Sequence, residues 1–566
     1  MTEKLLQLAR LGLAILACCG YLRAAMGAFR LRPEQALPLC FAALGLAMLV
    51  AGVLGVLAPA VWLLLALGLA LLARSLLRRE SPRDCLTPGM LFFGVCAAGF
   101  LVILYGSRLV HIDNFSHWGA ILKLIEAGDA LPAHNPLVYF PAYPTGSSLL
   151  IYWFSKAAGI HAEWFWAWSQ SLVPAACAAS LFALPGDGED RGLSVFTALT
   201  ALIALACLCG NTDPADLLVD TMVPMLGLAG LLLCLSCRER LDRLALPLTV
   251  YAAYLPMVKN SGYFFAGLLI LSALLLGKGK RRRLAPGCML LGLAAANRIW
   301  AWHVKTAFEG GMGSYHAVSL QSFGAAFAQK TPADLRGIAL AVGRATLEEG
   351  RLVWLIAALA AALLLCALSG RKELRRQVLA VPGIWALYLV SLLGMYVFSM
   401  SVGEALRAAA FDRYYRIITV FCTGLLWALA LPALRALPER RRLPAGLAVC
   451  AMLLALCAPQ PRYLLRQSAR MEDGLALRMR FDALIEDYDI PPEQSYLLLT
   501  TQENEISGRV MCTYLLWPKN TRVCTGPETL GEAEGGMDYY IVLDETEAAA
   551  ALLEKLETAD PCGWLG

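Results

Sequence analysis

Charge is scarce in this chain. Only 16% of its residues are Asp, Glu, Lys or Arg, where soluble domains carry about 25%. Hydrophobic residues make up 58%, which excludes a soluble globular enzyme, a disordered chain and a nucleic-acid reader. Several chemical signatures are also absent. There is no G-x-x-x-x-G-K-[ST] loop, no G-x-G-x-x-G in a strand–helix setting, no H-E-x-x-H and no G-x-S-x-G, so no motif points to a nucleotide, to ATP hydrolysis or to a zinc protease. No C-x-x-C pair repeats at zinc-finger spacing, and no repeat of 20–50 residues recurs.

The surplus of Leu, Ala and Val must face lipid. Most of the 18 cysteines, such as Cys18, Cys19, Cys207, Cys209, Cys234 and Cys366, lie inside apolar runs and act as small hydrophobes. Cys512 and Cys524 stand apart, and in an oxidising space they would close a short loop. Lys4 and Arg10 precede the first apolar stretch without a small-residue cleavage site, which reads as a membrane helix rather than a signal peptide. Charge is unevenly spread. Residues 471–566 hold 19 acids and 6 bases, while the rest holds 24 acids and 42 bases. A basic apolar body with an acidic tail reads as a polytopic membrane protein with one appended aqueous domain.

A span needs about 20 apolar residues. Stretches near 5–25, 36–56, 58–73, 88–106, 164–184, 193–209, 215–236, 284–302, 351–369, 377–399, 416–434 and 443–458 qualify. Basic loops at Arg74–Arg79, Arg238–Arg240, Lys278–Arg283, Arg371–Arg376 and Arg440–Arg442 mark the cytoplasmic side. With these inside, Asp113, the acidic tail and the N-terminus lie outside. That count requires 147–160, bounded by Pro144 and Gly159, to be an interfacial or re-entrant helix. The run 244–276, interrupted by Pro256, Lys259, Asn260 and Gly262, reads as a hairpin of two short helices with its tip toward the outer half. The expected architecture is an all-α polytopic membrane protein of about 12–14 transmembrane helices with a small C-terminal α/β domain. Residues 1–84 form N-terminal spans, 85–458 the body with outer loops 107–163 and 303–350, and 459–566 the soluble domain. Within that last part, Tyr496–Thr501 and Tyr539–Leu543 read as buried strands and Ala548–Leu556 as a helix.

Four constellations can carry chemistry. The first is His111-Ile-Asp113-Asn114-Phe-Ser-His117-Trp118 followed by Lys123. If 113–125 is helical, Asp113, His117 and Lys123 share roughly one side. Asp beside His at a membrane mouth suits a general base for a hydroxyl or half of a metal site. The plainer reading makes Asp113 a helix cap. The second is Asn211-Thr-Asp213-Pro-Ala-Asp216-Leu-Leu-Val-Asp220. Asp213 before Pro214 fits a cap. Asp216 and Asp220 stand i, i+4 on the entering helix, and a carboxylate such as Asp220 inside a span is functional by default. The third is Lys259-Asn260 at the hairpin tip, where Lys either meets a phosphate or snorkels. The fourth runs from Glu404 to Arg413-Tyr414-Tyr415-Arg416, either a phosphate fork or a basic anchor in an aromatic belt. His161, His303 and His316 stay unassigned.

Asp113 in the first long outer loop, Lys123, the Tyr139-Phe-Pro-Ala-Tyr143-Pro144 stretch, the short aromatic helix, Lys259 in a broken pair and Arg413-Tyr414 before a late span together resemble the GT-C superfamily of membrane glycosyltransferases, over roughly 85–460. The chain is similar to protein O-mannosyltransferases, to aminoarabinose transferases and to bacterial envelope members. It departs in having more than one span before the acidic loop and in carrying Asp113-Asn114 where Asp-Glu is frequent. The resemblance implies inverting transfer from a polyprenyl-phosphate sugar to an envelope acceptor (glycan, lipid or protein) on the outer face of a bacterial cytoplasmic membrane. It involves the lipid bilayer but no nucleotide and no nucleic acid. Asp113 would be the base with His117 beside it. Asn114, Trp118, Lys123, Tyr143, Asp220, Lys259, Asn260, Arg413 and Tyr414 would bind substrate. A divalent cation, Mg²⁺ or Mn²⁺, would use Asp113 and Asp220. A flippase or a polymerase/ligase of lipid-linked saccharides, and a non-enzymatic envelope scaffold, are the competing expectations.

Overall fold

The computed structural model describes residues 2–184, 214–278, 282–308, 320–457, 478–483, 485, 495–500, 505–518, 520–524, 539–542, 547, 550 and 551. The expected span 193–209, Asn211 to Asp213, His316 and most of the helix expected at Ala548–Leu556 lie outside the described residues.

Helices dominate. In chain order they are α1 (Thr2–Phe29), α2 (Pro33–Val53), α3 (Leu57–Leu77), α4 (Pro88–Leu104), α5 (Gly119–Gly128), α6 (Gly146–Ala158), α7 (Glu163–Ala179), α8 (Met222–Ser236), α9 (Ala245–Val258), α10 (Gly262–Leu276) and α11 (Leu284–Ala307). There follow α12 (Leu320–Ala328), α13 (Pro332–Glu348), α14 (Arg351–Leu368), α15 (Lys372–Phe398), α16 (Val402–Leu406), α17 (Phe411–Arg435) and α18 (Glu439–Cys457). Beyond them lie β1 (Ser495–Leu499), α19 (Glu505–Leu516), β2 (Asn520–Cys524) and β3 (Tyr539–Val542).

Among the described residues, seven helices are long and apolar enough to cross a bilayer: α1, α2, α3, α11, α14, α15 and α17. The bent pair made by α8 and the stretch Arg238–Val258, turning through 116°, raises this to eight if it counts as one span. Large apolar side chains such as Leu63, Leu77, Leu91, Val102, Leu275 and Leu291 stay exposed on helix surfaces. In water such a surface would be an aggregation liability, and against lipid it is the ordinary outer face of a spanning bundle. Inside, α2 and α17 are buried along most of their length. Helices can approach closely where side chains are small. A Cβ on Gly20 of α1 would fall on the Gly68 carbonyl of α3, the small-residue contact that lets membrane helices touch along their backbones.

Hydrogen bonds sort the bundle into two ends. At one, Arg240 donates to the carbonyls of Phe29 (3.1 Å) and Arg30 (2.8 Å), Gln35 to Ser236 (2.8 Å) and Lys278 to Glu239 (2.7 Å). This gathers two of the basic loops, Arg238–Arg240 and Lys278–Arg283, beside Arg30. At the other end, Arg10 donates to the carbonyls of Lys156 (2.8 Å) and Ala157 (3.2 Å). The first turns of α1 therefore share an end with α6, opposite Arg30. The α6 helix has only 13 residues and every one except Lys156 is buried. It starts at the tip of α9, where Tyr254 donates to the Gly146 carbonyl (3.0 Å), and ends beside the first turns of α1. The expected hairpin is present as α9 and α10, broken at Lys259-Asn260-Ser261. Pro256 and the break free backbone groups that tertiary burial must cover.

Beyond α18, β1, β2 and β3 form a parallel sheet in the order β2-β1-β3. The two apolar runs expected as strands are β1 and β3, and β1 is buried at every position, as a central parallel strand should be. The polar segment Asn520–Cys524 carries no strand pattern in the sequence, yet it pairs as β2. Cys512 is buried in α19, and the Cys524 side chain lies outside the described residues.

Candidate functional site

Four charged side chains from four distant stretches meet at the α6 end of the bundle. Asp220 lies in the turn that enters α8, Lys259 at the break between α9 and α10, and Arg413 in the first turn of α17. Asp113 lies just before a π-helical turn at Asn114–Trp118. Lys259 Nζ lies 2.6 Å from Asp220 Oδ1, Arg413 Nη2 3.2 Å from Asp220 Oδ2, and Arg413 Nη1 2.6 Å from Asp113 Oδ2. Arg413 thus bridges two carboxylates in different settings: the Asp220 side chain is 1% exposed and that of Asp113 31%. Charges are tolerated away from water only when paired in this way. The Tyr414 ring adds a face 5.5 Å from Lys259 Nζ.

The backbone around Asp113 is clamped. The Asp113 amide donates to His111 Nδ1 (3.1 Å), which puts the imidazole proton on Nε2 if the ring is neutral. Asn114, fully buried, donates to Asp216 Oδ1 (2.8 Å) and accepts from the Leu217 amide (3.0 Å). Asn114 and Asp216 therefore tie the 111–114 stretch to the turn entering α8. They hold Asp113 near Asp220. The expectation of Asp216 and Asp220 at i, i+4 on a helix is corrected, because α8 begins only at Met222, after both. Asp113 precedes the π turn without making a side-chain cap hydrogen bond, so the capping reading is corrected too.

The expected common side for Asp113, His117 and Lys123 also fails, for a geometric reason. The π turn inserts one extra residue, rotating the downstream helix by about 100°. His117 keeps close to Asp113, whereas Lys123 turns away, donates to the Tyr514 carbonyl (2.5 Å) and lies over the Tyr514 ring at 4.7 Å. His117 is buried against Trp118 (4.5 Å between ring centres), Tyr143 (4.9 Å) and Phe140 (6.3 Å), and neither ring nitrogen has a hydrogen-bond partner among the described residues. Asn260 contributes its carbonyl to the turn, accepting from the Tyr263 amide (3.1 Å).

Burial pushes His117 down from 6.5 to about 3, only partly opposed by Asp113. It is therefore a neutral imidazole and not a proton store at ordinary pH. Unfolded, the group protonates near 6.5; folded, it stays neutral down to about 3. Its stabilising contribution is complete above pH 6.5 and is lost as pH falls toward 3, at about 1.4 kcal/mol per pH unit within that window. His117→Phe, which keeps the aromatic contacts, is expected to flatten the fall of melting temperature between pH 6 and 4 in detergent. An unchanged slope would refute the neutral assignment.

A second cluster, with no local sequence signal, supports the first from behind. Glu163 accepts from the Leu109 amide (2.9 Å), the Tyr514 hydroxyl (2.9 Å) and Arg478 (3.3 Å). Arg478 also donates to the Leu109 carbonyl (3.2 Å) and lies over Phe115 at 5.8 Å, and Arg108 pairs with Asp482. The segments 478–483 and α19 are thereby docked on the π turn that carries His117. Glu163→Gln removes the charge from three hydrogen bonds and should raise trypsin cleavage within the C-terminal part about tenfold, equivalent to roughly 1.4 kcal/mol of added opening.

A metal ion between Asp113 and Asp220 does not fit, because the Arg413 guanidinium already bonds both carboxylates. Among the described residues, no group of three His, Cys, Asp or Glu gathers around one point. Compared with family models, curated proteins and solved structures, the chain matches none.

Proposed function

We propose that this chain is an integral membrane glycosyltransferase of the GT-C type, moving a sugar from a polyprenyl-phosphate donor to an envelope acceptor with inversion. One observation carries the reading: Asp113, Arg413, Asp220 and Lys259 converge at one end of an apolar bundle, beside a neutral imidazole that has no hydrogen-bond partner among the described residues and is walled by aromatic rings. The reaction needs these parts. Asp113, the carboxylate nearer water, takes the proton of the acceptor hydroxyl. The oxygen attacks the anomeric carbon as the bond from that carbon to the phosphate oxygen breaks. Negative charge then grows on the lipid phosphate, and Arg413 and Lys259 are the cations placed to offset it, commonly the largest electrostatic contribution. His117 offers one donor and one acceptor to a sugar hydroxyl, and Trp118 and Tyr143 offer ring faces to the sugar. Asp220 fixes the two cations.

On this reading the body completes about 12–14 crossings: the seven long helices, α4, α7, α8, α18 and the apolar stretch that the sequence places at 193–209 make twelve, and α9 and α10 add two. The basic end faces the cytoplasm of a bacterium. The site and the C-terminal α/β domain formed around β1–β3 are then extracytoplasmic. The break at Lys259 also suits a flippase of lipid-linked saccharides, since transporters place charges in broken helices. A polymerase or ligase would use the same donor with a larger acceptor. Incubating the purified protein with labelled polyprenyl-phosphate sugars and envelope acceptors separates them. The transferase reading expects label on the acceptor, dependent on Asp113. Label that crosses a vesicle membrane without changing its covalent partner would refute it.

A further inference from the structure

We propose that Arg413 masks Asp113 in the resting protein, and that a phosphate anion frees the carboxylate by drawing the guanidinium away. The identity of that anion as the donor phosphate rests on the function proposed above; the masking itself rests on geometry. Arg413 Nη1 donates to Asp113 Oδ2 at 2.6 Å, a charge-assisted bond that turns this carboxylate oxygen to the cation and away from an incoming hydroxyl. The two acids sharing Arg413 are not equivalent. Asp220 is enclosed and has Lys259 as a second cation at 2.6 Å. Asp113 faces water and, among the described residues, has beyond Arg413 only His111 at 3.9 Å. An arriving anion therefore displaces Asp113, whose carboxylate water can resolvate, and leaves Asp220 paired. A donor is already waiting, because Arg413 Nε is buried with no hydrogen-bond partner among the described residues. Lys259 Nζ also has protons beyond the one it gives to Asp220.

Breaking the Asp113–Arg413 contact costs the anion affinity, and this coupling is reciprocal. The full-length protein in detergent, wild type and Asp113→Asn, is titrated with farnesyl monophosphate and, separately, with inorganic phosphate. The Asn variant is expected to bind both about tenfold more tightly, within the usual range of roughly 5- to 150-fold for such couplings, and Arg413→Gln to bind neither. Farnesyl monophosphate binding more tightly than inorganic phosphate assigns the site to a lipid carrier; equal affinities assign it to free phosphate. A second measurement uses wild type alone. Carbodiimide labelling of Asp113, read by peptide mass spectrometry, should rise several-fold when phosphate saturates the protein.

Equal or weaker binding by Asp113→Asn, absence of binding to both proteins, or labelling of Asp113 that phosphate leaves unchanged or lowers overturns the proposal. Tighter binding by the Asn variant in a protein that transfers no sugar defeats only the transferase reading. Transfer without that tightening defeats only the masking.

Discussion

Asp113→Asn is expected to lower sugar transfer by about 10³-fold, the middle of the range for removing a general base, with little change in resistance to unfolding. Amide and carboxylate are nearly isosteric. The Asp113 side chain is partly exposed and its backbone is fixed independently by His111, Asn114 and Asp216. The variant keeps an acceptor oxygen for Arg413 and loses the proton-accepting charge. Transfer of label from a polyprenyl-phosphate sugar, measured beside a melting curve, separates the two effects. A variant retaining more than a tenth of the wild-type rate would remove Asp113 from the chemistry.

The largest loss of stability is expected from Asp220→Asn. Lys259, 6% exposed at its side chain, would remain enclosed with no carboxylate beside it. Orphaning one member of a buried pair costs about 3–5 kcal/mol. Replacing both members, in Asp220→Asn with Lys259→Met, removes the stranded charge and should recover most of that loss, although the site's chemistry would not return. The double-mutant cycle, followed by unfolding in detergent, gives a coupling energy. A single variant no less stable than the double would contradict the buried pairing.

Some of this is legible in the amino acids. Pro256, Lys259, Asn260 and Gly262 interrupt an apolar run, and a break is the available outcome because neither polar group nor proline continues a spanning helix easily. Asp113, Asp220, Lys259 and Arg413 each stand out as costly charges near apolar stretches. Their meeting does not stand out, because Asp113 and Arg413 are separated by 300 positions and local periodicity carries no long-range pairing. Lys123 is misplaced by helical spacing because a π turn leaves no pattern that distinguishes it from an α turn. Asn114 and Asp216 pass for ligand groups or helix residues because a clamp between loops resembles a site until both sides are seen. Glu163, Arg478 and Tyr514 have no shared motif, and β2 lacks the apolar alternation that exposes a strand.

The docking of Arg478 and Tyr514 has a consequence for biogenesis. Every charged member of the cluster, from Asp113 to Arg413, is synthesised before its support from residue 478 onward exists. During translation the Leu109 carbonyl, Phe115 and the Glu163 carboxylate await partners still in the ribosome. A nascent chain arrested before residue 478 would carry all four charges yet lack the brace behind His117. Assembly of the centre thus waits for a segment translated after all four charges, so insertion of the cluster precedes its bracing.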